Sequence, residues 1–246
     1  MQAPHPPLVD YYPHESARRG WVRQLFDRTA GDYDRIERFM AMGSGSWYRR
    51  TALRRAGLKP GMRVLDIGVG TGLTAREAAT LVGENGRVTG VDPSSGMLQR
   101  ARVSARVELL SGSAESIPAA DASADFLSMG YALRHIADFS VAFGEFKRVL
   151  VPGGRICVLE ITPPRNRLGR ALLKAYMRGI VPLVARILGT NAESPKLMRY
   201  YWDTIEHCAP PAQILDSIRT AGFTDVHRFV TLGIFSEYRA TRPLAT

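Results

Sequence analysis

A chain of 246 residues with 45% apolar and 23% charged residues has the balance of a globular protein and the length of one α/β domain with an elaboration. Its net charge of +10 favours anionic partners, nucleic acid or the anionic inner leaflet, although a solvated arginine-rich surface gives the same number. No run approaches the roughly 18 apolar residues of a membrane span, and the two cysteines, Cys157 and Cys208, form neither a zinc spacing nor a disulfide framework, so no metal site is expected.

In chain order, residues 1–20 read as a mobile arm rich in Pro, His and Tyr, without the apolar core of a signal peptide. The remainder, 21–246, reads as a single domain. Trp21 to Ala30 is expected to be helical, with Gly31-Asp32-Tyr33-Asp34 breaking the helix, and a second helix spans Trp47 to Ala56. Strands then fall near 63–68, 87–92, 107–112, 125–130 and 155–161, with helices near 73–82, 95–103 and 138–149 between them. Such alternation predicts a parallel sheet covered on both faces. At about 163–205 the alternation stops. Leu168, Leu172, Tyr176, Ile180, Leu183, Val184 and Ile187 recur at helical spacing among arginines, so this is a basic, amphipathic helical insertion that Pro182 should kink. A helix at 212–221 and two antiparallel strands near 223–230 and 234–241 close the chain.

The most informative stretch is Val64-Leu65-Asp66-Ile67-Gly68-Val69-Gly70-Thr71-Gly72, a strand running into a glycine turn and a helix. Glycines there let a ligand approach the main chain. The dinucleotide fingerprint would need its third glycine at Leu73, whereas this chain has Gly72. Asp66 precedes the turn, where it can accept hydrogen bonds from a cationic ligand group. Asp92 ends the next strand, where a carboxylate can accept both ribose hydroxyls. Together they describe a nucleoside-bearing ligand on a strand-to-helix turn. Ligand chemistry in doubly wound sheets lies outside the strand carboxyl ends. That places Arg134 and His135, after the fourth strand, where a substrate would stand; the bland reading is a structural salt bridge and a surface histidine.

The Asp-x-Gly-x-Gly-x-Gly pattern with its distal acid resembles the class I S-adenosylmethionine methyltransferases. Further segments narrow the likeness: Phe26–Asp34, Leu133-Arg134 through Leu150-Val151-Pro152-Gly153-Gly154-Arg155 and Leu159-Glu160, and Arg199-Tyr200 to Ile205. Over about residues 22–240 the chain resembles the ubiquinone/menaquinone biosynthesis C-methyltransferase family. The resemblance implies a Rossmann-like α/β fold with a seven-stranded, mostly parallel sheet and an antiparallel edge. It implies S-adenosylmethionine as cofactor and C-methylation of a prenylated quinol or similar lipid-soluble acceptor. The implied cofactor set is Asp66, Gly68, Gly70, Gly72, Asp92, Met97, Ser113, Ala114, Glu115 and Gly130, with Tyr33 on an N-terminal lid. Ser113 falls where related enzymes carry Asp or Asn.

The chain departs from the family pattern more on the substrate side than on the cofactor side: Ala132 stands for Gly, His135 for Asn, Tyr131 for Phe, Tyr201 for Leu and Thr204 for Ser, while beside the glycine turn Leu73 stands where Asp is common. The donor is therefore better defined than the acceptor, and another lipophilic acceptor (an isoprenoid, a phospholipid amine or a secondary-metabolite phenol) or a non-catalytic cofactor-binding role stays open. The expected catalytic residues are Arg134, which would stabilise a phenolate, Tyr200, which would bond a ring oxygen, and His135, which would act as a general base titrating near neutrality. The insertion fits an isoprenoid groove, a peripheral contact at the inner membrane face, or a homodimer interface. No nucleic-acid partner is expected, because no base-flipping motif follows strand four. A cytoplasmic location is the default.

Overall fold

Apolar runs with little alternation, such as Phe126-Leu127-Ser128-Met129, are buried on both faces, which requires a sheet covered by helices on both sides. The computed structural model describes residues 3–187 and 190–244; Met1, Gln2, Leu188, Gly189, Ala245 and Thr246, which the expected arm, insertion and domain include, lie outside the described residues. Strands β1 (Arg63–Ile67), β2 (Arg87–Asp92), β3 (Val107–Ser111), β4 (Ala124–Gly130), β5 (Leu150–Ile161), β6 (Thr224–Thr231) and β7 (Phe235–Thr241) form one sheet of order β3-β2-β1-β4-β5-β7-β6. Pairing is parallel from β3 to β5, and β7 runs antiparallel to both neighbours. This is the expected Rossmann-like α/β fold, with the reversed strand one in from the edge.

The helices are α1 (Glu15–Met40), α2 (Gly45–Arg55), α3 (Leu73–Val82), α4 (Ser95–Arg100), α5 (Phe139–Val149), α6 (Arg167–Ala175), α7 (Val181–Ile187), α8 (Ser194–His207) and α9 (Pro211–Thr220). One core layer packs α5 and α9 on the sheet. Phe139, Phe143 and Phe146 of α5 share one face by their spacing, and Asp138 caps the helix by accepting from the amides of Ser140 and Val141. A second layer packs α2 and α3 on the opposite face. A third cluster, above the carboxyl ends of the strands, joins α1 to the insertion through Val22, Leu25, Met177, Val181, Met198 and Trp202.

Two expectations at the N-terminus are corrected. The helix runs unbroken through Gly31-Asp32-Tyr33-Asp34. A mid-helix glycine costs about 1 kcal/mol, which tertiary bonds here offset. Asp27 Oδ1 accepts from Ser94 Oγ at 2.6 Å and from the Gly96 amide at 2.8 Å, Asp34 accepts from Thr71 Oγ1, and Asp32 Oδ2 accepts from the Asn191 amide at 2.6 Å. The expected mobile arm is also shorter than 1–20. The helix starts at Glu15, Tyr12 and His5 are buried, and the carbonyl of Pro4 accepts from the Ala209 amide at 2.6 Å. Pro182 sits in the first turn of α7, and the irregularity takes the form of a π turn, Tyr176–Ile180, just before it.

The carboxylates of Asp27 and Asp34 thus fasten α1 across the glycine turn and the start of α4. Replacing both with Ala removes charge-assisted bonds worth roughly 1.5–3 kcal/mol each. Hydrogen exchange of α1 amides is expected to accelerate while amides of β1 and β4 keep their protection. Unchanged exchange in α1 would show that apolar packing alone holds the helix.

Candidate active site

Because the chain builds β1, β2 and β3 outward and then returns to place β4 on the other side of β1, a crevice opens at the carboxyl ends of β1 and β4. A cavity of about 430 Å³ lies there. Its floor is Ile67, Gly68 and Gly70 of the β1 turn together with Met129 and Gly130 of β4.

At one end stands Asp92. It is buried, and its two oxygens accept from the amides of Gly70 and Ser94, each at 2.8 Å. Burial pushes its carboxyl up to about 6. Met97, Ser113, Ala114 and Glu115 line the same end. Gly70 has φ +55, and a Cβ built on it would meet no atom within 4 Å, so its backbone lies bare where a ligand can approach. A Cβ at Gly68, by contrast, would lie 2.6 Å from that of Ala132, which fixes the approach of the β1 and β4 turns.

Two expected contacts lie outside the cavity wall. Asp66 is beneath the turn, where it accepts from Ser128 Oγ at 2.7 Å, and burial raises its carboxyl to about 7. It braces β1 against β4, and its Oδ2 is buried without a hydrogen-bond partner among the described residues. Gly72 caps the start of α3 at φ +90 and packs against Val103, whose Cγ1 blocks the place where a Cβ would stand. Its role is the close approach of that loop.

The other end is aromatic. Phe26 and Tyr33 from α1, Tyr131 and His135 from the segment after β4, and Tyr201 from α8 line it. The hydroxyls of Tyr33 and Tyr201 lie 2.5 Å apart, joining the N-terminal helix to the insertion over the cavity. Tyr131 adopts φ +62, a left-handed conformation that a bulky residue holds at a cost of about 1–3 kcal/mol. Its amide donates to Leu159 O and its carbonyl accepts from Arg134, each at 2.8 Å, so the surroundings fix this strain in the cavity wall.

Arg134 does not line the cavity. It is fully buried behind the wall, 2.5 Å from Glu160 Oε1, donating through Nε to Thr204 Oγ1 at 3.2 Å, with its guanidinium 4.4 Å from the Tyr201 ring centre. Burial opposes its charge, but Glu160 together with Tyr201, Tyr33 and Cys208 outweighs it and holds the group above the ordinary arginine value. Tyr200 is likewise behind the wall, its hydroxyl 3.3 Å from His135 Nδ1. One helical position separates it from Tyr201, so α8 turns the second tyrosine, not the first, to the cavity. His135 does line it, but burial, with the cations Arg134 and Arg18, pushes its imidazole well below the ordinary value. That direction favours a neutral ring at neutral pH and runs against the expected neutral-range titration. Its Nε2 is buried without a hydrogen-bond partner among the described residues.

Against this geometry, a family model for the ubiE/COQ5 methyltransferase family matches residues 14–242. The chain belongs to that family. The ubiquinone/menaquinone biosynthesis C-methyltransferase UbiE of Syntrophotalea carbinolica is 34% identical over 241 residues, covering 96% of this chain and 98% of that one. The demethylmenaquinone methyltransferase of Symbiobacterium thermophilum is 31% identical, covering 94% and 96%. In structure, a SAM-dependent methyltransferase of Thermotoga maritima superposes with a TM-score of 0.63 at 24% identity, covering 90% of this chain and 99% of that one, a likeness of fold.

This methyltransferase uses S-adenosylmethionine as its cofactor. The Asp92 end fits the group: a carboxylate for the ribose diol, bare backbone at Gly70, and the apolar Met97 and Ala114 beside a polar Ser113 for an adenine ring. Sequence reasoning passed over Phe26, Tyr131 and Tyr201 as individual wall residues. Phe26 and Tyr131 were legible only as members of segments, and Tyr201 required the phase of α8.

Asp92→Ala should weaken S-adenosylhomocysteine binding by roughly 1.5–3 kcal/mol, the worth of hydrogen bonds to a charged group. The carboxylate form accepts the hydroxyls, and its value is raised to about 6. Wild-type affinity should therefore hold above pH 7 and fall as pH drops through about 6. Calorimetry across this range checks both; an Asp92→Ala protein with the same pH-dependent limb would remove the assignment.

Proposed function

We propose that this methyltransferase C-methylates the ring of a lipid-soluble quinol held at the aromatic end of the cavity. The observation that carries the reading is the cavity itself, which runs from Asp92 past the glycine turn to Phe26, Tyr33, Tyr131, His135 and Tyr201. Relatives 31–34% identical over nearly the whole chain, among them a demethylmenaquinone methyltransferase, support the acceptor class.

Gly68, Gly70, Asp92, Met97, Ser113, Ala114, Glu115 and Gly130 would hold S-adenosylmethionine, with Tyr33 as part of the cover. When bound, this group supplies a methyl carbon on a sulfonium, ready for in-line displacement. The protein's own part is orientation, which can supply on the order of 7–11 kcal/mol. Phe26 and Tyr201, packed edge to face with ring centres 6.4 Å apart, would form an apolar wall for a flat ring, and the paired hydroxyls of Tyr33 and Tyr201 would offer hydrogen bonds to a ring oxygen. Arg134 and Arg18 act through their field. Arg134 favours the phenolate form of each phenol in this wall, working against the burial that raises Tyr33, Tyr131 and Tyr201, and the same field acting on a ring phenol would raise electron density at the attacking carbon. Neutral His135 then serves as a hydrogen-bonding wall residue fixed by Tyr200. Because such an acceptor resides in lipid, we place the enzyme at a membrane face for part of its cycle.

The test is incubation with S-adenosylmethionine and short-tailed demethylated naphtho- and benzoquinols under reducing conditions. A mass gain of one methylene on a ring carbon is the expected product. A product methylated only on oxygen, or turnover only with an unprenylated phenol, favours the second reading, a secondary-metabolite phenol. The polar aromatic wall made by Tyr131, His135 and Tyr201 is what keeps that reading in play.

His135→Asn should retain turnover within about ten-fold, and the wild-type rate should show no histidine limb between pH 6 and 8. Arg134→Met should lower kcat with little change in S-adenosylhomocysteine affinity. A rate that rises through neutral pH in wild type and is flat in His135→Asn would restore the general-base role.

A further inference from the structure

We propose that the outer face of α6, the π turn and α7 is a docking surface for an anionic lipid bilayer, an inference that rests on the lipid-soluble acceptor for its purpose. Helix α6 has no buried residue. Leu168, Leu172, Ile180, Leu183 and Ile187 are each at least half exposed. Leu168 and Leu172 are an i, i+4 pair. The separation from Leu172 to Ile180 is one residue longer than an i, i+7 pair, and the π turn between them absorbs that extra residue. Ile180, Leu183 and Ile187 then continue at i+3 and i+7. The five side chains therefore form one apolar stripe along a segment whose opposite side, through Met177, Val181 and Ala185, packs on α8.

The charge of this segment selects the occupant. From Ile161 to Ala192 the sequence has six basic residues, Arg165, Arg167, Arg170, Lys174, Arg178 and Arg186, and no acidic one. Lys174 pairs with Glu206 and Arg178 lies near Asp203, both carboxylates of α8, while Arg165, Arg167, Arg170 and Arg186 are exposed. Apolar side chains flanked by arginines on a helix that does not span the bilayer suit the boundary between anionic headgroups and acyl chains. No helix among the described residues is long and apolar enough to cross a membrane. A second copy of the same segment would bring like charges together, which disfavours self-association through this face. The inner side of the segment rests on α8, whose Tyr201 lines the aromatic end of the cavity, so docking would bring the bilayer to the acceptor side of the molecule.

Co-sedimentation with phosphatidylcholine vesicles, with and without phosphatidylglycerol, tests the proposal at low salt. The wild-type protein is expected to pellet with the anionic vesicles and far less with phosphatidylcholine alone. Leu168→Ser/Leu172→Ser and Arg167→Gln/Arg170→Gln should each weaken that binding roughly ten-fold or more. Both variants should keep S-adenosylhomocysteine affinity, which confirms folding, and turnover of a short-tailed, water-soluble quinol. A wild-type protein that stays in the supernatant, or a leucine variant that pellets as wild type does, overturns the proposal. So does sedimentation equilibrium showing a dimer that the leucine variant dissociates. Vesicle binding that behaves as expected while no quinol is methylated leaves the docking surface standing and removes the acceptor assignment.

Discussion

A guanidinium without solvent exposure needs an anion beside it, and the pairing of Arg134 with Glu160 meets that need at the junction of three elements. Glu160 comes from β5, Arg134 from the short 3-10 turn after β4, and Thr204 of α8 accepts from the same guanidinium. A fourth element joins through Arg18 of α1, which donates to the carbonyls of Arg134 and Ile136 at 3.0 and 2.9 Å. Desolvating each ion costs several kcal/mol, so the pair is a weak source of net stability, but losing one partner alone is costly, about 3–5 kcal/mol. The arrangement therefore specifies geometry: the sheet, the N-terminal helix and the insertion share one hydrogen-bonded centre.

From that centre follows the shape of the acceptor end. Arg134 holds the carbonyl of Tyr131 and lies over the ring of Tyr201, so both tyrosines are set by a residue that itself never reaches the cavity. Its charge also adds to the effect of burial on its neighbour, the two together with Arg18 pushing the His135 imidazole well below its ordinary value. At the donor end the control is different. Asp92 is ringed by the amides of Gly70 and Ser94, bonds that partly offset the burial that lifts its carboxyl.

Several of the residues at which this chain leaves the family's usual pattern meet at the aromatic end of the cavity. Tyr131, His135 and Tyr201 come from separate segments yet line the same aromatic wall, with the His135 and Tyr201 rings 5.9 Å apart. Leu73, at the first position of α3, and Ser113, beside Asp92, lie apart from that wall.

The sequence alone determined the elements with strong local signals. Apolar runs marked the strands, glycines with Asp92 marked the cofactor turn, and the leucine and isoleucine periodicity of 163–205 marked an amphipathic insertion, because each depends on neighbours within one turn or strand. Local rules misread Gly31 as a helix break, since the bonds from Asp27, Asp32 and Asp34 that carry α1 through it reach residues far along the chain. Arg134, Tyr200 and His135 were legible as a polar group in the right place but not in their roles. Whether a side chain faces the cavity or the wall behind it depends on helix phase, and whether an imidazole is charged depends on burial and on cations from other segments. Those are properties of packing, which only the tertiary structure decided.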